Sequence, residues 1–63
     1  MQRAMRKIRL IWEMYALGRR IVRLTAFLDT DIDTGARETL TDQLRAMSEY
    51  HNVLVHRLAD GTY

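Results

Sequence analysis

Three groups of side chains have types and spacings that could do chemistry. Asp33-Thr34-Gly35-Ala36 carries the letters of an aspartic-protease catalytic loop. That chemistry needs two such loops on a β-sheet scaffold, so that two carboxylates share one proton. The flanks here are helical in pattern, and the chain is too short to supply the second loop. Asp29-x-Asp31-x-Asp33 has the opening spacing of a calcium loop, which also requires Gly at position 6 and a bidentate Glu at position 12. Counted from Asp29, those positions hold Thr34 and Leu40. His51 and His56 face different sides of a helix, and two histidines without cysteine do not make a tetrahedral zinc site. Metal-dependent and carboxylate-dyad catalysis both lose their candidates, and the sequence predicts no enzyme and no cofactor.

The third group is basic. Arg19, Arg20 and Arg23 lie within one helical turn or so of Tyr15 and Thr25. Guanidinium forks grip phosphates in bidentate fashion, and an adjacent aromatic ring can stack on a nucleobase. Gln43 and Tyr50, alongside the seam of a facing helix, could read polar base edges. The expected ligand site is therefore Tyr15, Arg19, Arg20, Arg23, Gln43 and Tyr50, while Trp12 is expected in the core of an oligomer or, alternatively, stacked on a base. The competing reading is a solvated basic face in which Arg19 pairs with Glu49. His51 is expected to be a packed histidine with one hydrogen bond, or a contact across an oligomer interface.

These residues need elements to hold them, and size limits the choice. The chain has 63 residues, no cysteine and no proline. At that length a single core supplies little net stability, and small folds lean on disulfides, a structural metal or self-association. Only the last is open here. Charge is split along the chain: residues 1–28 hold seven basic side chains against one acid, and residues 29–63 hold three against seven. Such asymmetry suits an anionic partner, or attraction between the halves. Glu13, Arg19, Arg20 and Arg23 interrupt the apolar run 8–28, which argues against a membrane span.

Apolar residues recur as Leu10, Met14, Leu17, Ile21, Leu24, Leu28, and again as Leu40, Leu44, Met47, His51, Leu54, Leu58. Spacings alternating between 4 and 3 are helical seams. Pairing the seams in reverse order gives a constant sum of 68, the signature of an antiparallel hairpin bent near residue 34. The expected domain is 1–63, with a helix over about 3–29, a bend at 30–34 and a helix over about 35–59. Asp31, Asp33 and Thr34 are candidate helix caps, since a short side-chain oxygen can accept from the free amides of a first turn. Gly35 is expected to supply the bend's backbone freedom. The first helix carries a surplus of apolar residues (Met5, Ile8, Ile11, Trp12, Tyr15, Val22) that one partner helix cannot cover. The predicted fold is all-α: a helical hairpin assembling into a homo-oligomeric bundle. Gly18, mid-helix, points to a close crossing or a ligand against the backbone.

The run Leu24-x-x-Phe27-Leu28, followed by Leu40-x-x-Gln43-Leu44-x-x-Met47-x-x-Tyr50-x-x-x-Leu54-x-x-Arg57-Leu58, resembles small helical-hairpin proteins of tailed phages. Several small helical phage proteins are oligomeric sponges for the cyclic di- or trinucleotides of CBASS-type bacterial immunity. Glu13-Met14-Tyr15-Ala16-Leu17-Gly18 resembles a stretch of one such family, although its N-terminal Gly-Tyr-Arg segment is absent and Tyr15 stands where a lysine would. The resemblance implies a viral immune-evasion protein in the host bacterial cytoplasm, which sequesters a nucleotide signal without cleaving it. A module that binds a host protein, or an RNA-binding bundle with the architecture of the plasmid copy-number protein Rop, are the alternatives.

Overall fold

A computed structural model describes the backbone of residues 2–63 and the side chains of residues 4–63. The protein consists of α1 (Gln2–Leu28) and α2 (Thr34–Asp60), packed against each other as an antiparallel hairpin. The result is a rod of 48 × 14 × 14 Å. Each of the twelve seam residues read from the sequence is buried or half-buried, because a 3.5-residue period keeps one face of each helix turned to its neighbour. The well-buried core is small: Leu10, Leu17 and Leu54, packed on by Met14, Ile21, Met47, Leu58 and Tyr63. It sits in the half of the rod away from the bend, whereas Leu24, Leu28, Leu40 and Leu44 are only half covered.

Each helix end at the bend is satisfied by a named group. Asp33 is the N-cap of α2, its carboxylate accepting from the amides of Gly35 and Ala36 at 3.2 and 3.4 Å. Neither Asp31 nor Thr34 takes that role. At the end of α1, the Thr30 hydroxyl donates to the Phe27 carbonyl at 2.6 Å. Arg37, one turn into α2, reaches back across the bend and donates to the carbonyls of Leu28 at 2.6 Å and Thr30 at 2.9 Å. α1 has no basic residue in its own last turn, so this guanidinium from the next helix supplies the positive charge that the C-terminal dipole favours.

One expectation is corrected. Gly35 is helical and contributes no special backbone angle; a Cβ there would stand 3.3 Å from the capping Asp33 oxygen, so its small size keeps the cap unobstructed. The glycine with a positive φ is Gly61, at 73°. It ends α2 in a Schellman arrangement, with the Thr62 amide donating to the Arg57 carbonyl at 2.8 Å and the Gly61 amide to Leu58 at 3.4 Å. Arg57 Nε then donates to the Thr62 carbonyl at 3.1 Å. This reversal folds Tyr63 back onto the core, where Lys7 lies 5.8 Å from its ring centroid.

Candidate functional site

Helical spacing brings part of the basic group together. Tyr15, Arg19, Val22 and Arg23 recur on one flank of α1, with Met14 and Gly18 beside them toward the seam. With His51 from α2 they line an open groove of about 550 Å³. Gly18 lies on the groove's floor under the imidazole: a Cβ there would meet His51 Nε2 at 3.4 Å and Cδ2 at 3.9 Å, the range of ordinary contact. No residue lining this groove is acidic. Among the described residues, neither Arg19 nor Arg23 takes part in a hydrogen bond or an ion pair, and both are exposed. Two guanidinium groups four residues apart thus line the same groove as an aromatic ring, with their donors available.

The other expected site residues lie elsewhere. Arg20 is exposed, about 100° around the helix from Arg19, and does not line the groove. Gln43 is exposed on α2, its amide 3.9 Å from the Met47 sulfur. Tyr50 ties the helices together: its hydroxyl donates to Glu13 Oε1 at 2.5 Å. That bond to a carboxylate is the main reason its phenol is raised above the ordinary range, with desolvation and the charge of Glu13 adding in the same direction and Arg57 opposing.

One further expectation is corrected, and of the two readings of His51 the hydrogen-bonded one is set aside. Arg19 does not pair with Glu49; among the described residues the one ion pair is Arg45–Asp42, at 3.6 Å on the surface of α2. The polar link between the helices is Glu13–Tyr50 instead. His51 makes no hydrogen bond among the described residues. It is half-buried and belongs to the groove, a role the sequence signals only through the mid-helix Gly18 nearby. Trp12 is two-thirds exposed and meets Tyr15 edge-on, with centroids 6.5 Å apart and planes at 84°. Tyr15 therefore joins the groove to a smaller apolar hollow that it forms with Ile11 and Trp12.

Among the described residues, no group of histidines and acids could hold a metal ion, and no helix is long and apolar enough to cross a membrane. A family model described as Sequestin matches residues 5–60, a span that contains both helices' seams and every residue of the groove. No curated protein and no solved structure matches the chain.

Proposed function

This chain belongs to the Sequestin family, and from that premise we propose that it binds a nucleotide immune signal and sequesters it intact. The ligand class is a cyclic oligonucleotide or a related nucleotide, and the setting is a phage-encoded protein acting in its bacterial host. The family's name supports sequestration. The nucleotide is supported by the groove, and one observation carries it: Arg19 and Arg23, without partners among the described residues, follow Tyr15 at four-residue steps along one apolar-floored groove. Phosphates take the guanidinium forks, and a base takes the ring and the Met14 and Val22 side chains. Binding without cleavage fits a lining with no carboxylate and a single imidazole, since hydrolysis of a phosphodiester calls for a positioned base together with an acid or metal. An open groove on a thin rod encloses a ligand poorly, so the reading includes a homo-oligomer.

Calorimetry against cyclic dinucleotides, cyclic trinucleotides and related nucleotides tests this. The expected result is at least one ligand bound at submillimolar or tighter affinity, recovered with unchanged mass. Charge reversal by Arg19→Glu is expected to weaken it ten- to a hundredfold, since a hydrogen bond to a charged group is worth about 1.5–3 kcal/mol. Failure of the whole panel to bind would end the proposal. Gel shifts with structured RNA that weaken steeply with salt would favour the Rop-like alternative instead.

A further inference from the structure

α1 carries a second seam. Met5, Ile8, Trp12, Tyr15, Arg19 and Val22 follow one another at spacings of 3, 4, 3, 4 and 3, on the side of the helix away from Leu10 and Leu17. The five apolar members are 69, 54, 67, 59 and 68% exposed, so α2 does not cover them. The surface area says how much is left to cover. A compact 7.5 kDa monomer exposes roughly 4,200 Å², whereas this chain exposes 5118 Å². The excess of roughly 900 Å², summed over the whole 48 Å rod, is of the same order as the roughly 800 Å² that each partner contributes to a standard interface.

We propose that this stripe is covered by the same stripe of a second copy, antiparallel about a twofold axis, and that the partner's Trp12 and Ile8 form the missing wall of the ligand groove. A twofold interface must be self-complementary: whatever one residue meets, the reverse contact also occurs. Antiparallel pairing of the six positions meets that condition with a constant sum of 27. Trp12 lies against the partner's Tyr15, Ile8 against the partner's Arg19, and Met5 against the partner's Val22. A parallel arrangement would instead set Arg19 against the partner's Arg19, two like charges in one apolar layer. In the antiparallel one, the Arg19 stem lies along isoleucine and its head reaches out to the edge. A single polar residue in such a seam is also a device that fixes register.

The consequence for the groove follows from shared residues. Tyr15, Arg19 and Val22 belong both to the stripe and to the groove's lining. A partner helix seated on the stripe therefore runs along the groove's open side, and the edge-on pair Trp12–Tyr15 becomes half of a four-ring cluster. This last step rests on the reading of the groove as a ligand site; the docking of the helices does not.

The chain has no cysteine, so the register can be read by cross-linking. Met5→Cys and Val22→Cys preparations, mixed without nucleotide and treated with a short thiol cross-linker, are expected to give a mixed dimer, with little product from either alone. Efficient self-linking of each variant alone would overturn the proposal in favour of a parallel pair. No product in any mixture, with the unmodified protein sedimenting as a monomer at micromolar concentration, would also overturn it. In the linked dimer, association no longer depends on Trp12, so Trp12→Ala there isolates its part in the groove. Tenfold or greater loss of nucleotide affinity is expected, and no loss would remove Trp12 from the site. A linked dimer that forms in the mixed register but binds no nucleotide would refute the ligand reading and leave the docking standing.

Discussion

Replacing Gly18 with alanine sets two effects of opposite sign against each other. Glycine inside a helix is about 0.8–1.0 kcal/mol worse than alanine, since it has more backbone freedom to lose. Against this gain stands the new methyl, 3.4 Å from His51 Nε2 and 3.9 Å from Cδ2. The first distance is at the short end of ordinary contact. Both atoms lie toward the end of a half-buried side chain with no hydrogen bond to hold it among the described residues, so a rotation of a few degrees relieves the approach for a few tenths of a kcal/mol. The balance is a stabilisation of about 0.5 kcal/mol, and at the usual 4–8 °C per kcal/mol for a domain of this size Tm rises by about 2–4 °C. Thermal melts followed by helical circular dichroism would measure it, at one protomer concentration for both proteins because association adds its own stability. The same methyl stands on the floor of the groove, so nucleotide affinity is expected to fall while stability rises. A Tm lowered by several degrees would refute the reasoning, since it would mean that His51 has nowhere to go and that Gly18 marks a crossing too tight for any side chain.

Arg37→Ala is expected to lower stability by about 1 kcal/mol, because two charge-assisted bonds to the end of α1 are lost from a solvent-exposed position. Arg37→Lys should recover less than half in the same denaturant titration, since an ammonium lacks the fork that spans two carbonyls. Tyr50 gives a pH dependence: its phenol is raised in the folded state by the bond to Glu13. The stability it contributes is therefore complete below the unfolded-state value near 10 and lost as pH rises through the higher folded-state value. A base titration of the melting temperature should show this loss in the unmodified protein and a flatter limb in Tyr50→Phe.

The register of the hairpin could be read from sequence because it depends on periodicity alone. A half-period error would have placed Leu17 or Leu54 in water, and both are buried. The contacts that escaped the reading belong to long polar side chains. The constant sum sets Arg19 opposite Glu49, but opposition of backbones leaves an exposed arginine free to turn to solvent, and the same freedom lets Arg37 reach back across the bend. Glu13 finds Tyr50 because both lie beside the seam and both side chains are long enough to bridge the five-residue offset from the apolar register. The groove was half legible. Tyr15, Arg19 and Arg23 follow from helical spacing, whereas His51 enters only through the space left by Gly18, a property of two helices at once. Gly61 did have a signal, a glycine directly after the last periodic residue. Without it the return of Tyr63 to the core could not be drawn.

The placement of the core also bears on how the chain folds. Its best-buried residues, Leu10 and Leu54, are 44 positions apart, while the pairs beside the bend, with the shortest chain between them, are only half covered. A hairpin that zipped outward from its bend would gain little from its first contacts and would have to hold both helices together before reaching the rewarding ones. The entropy of closing that long loop is therefore met early and compensated late. Folding should be slower than is usual for a two-helix protein, whose contacts are ordinarily local. Arg37 and Asp33, whose side chains hold the bend, are the residues whose loss should slow it further.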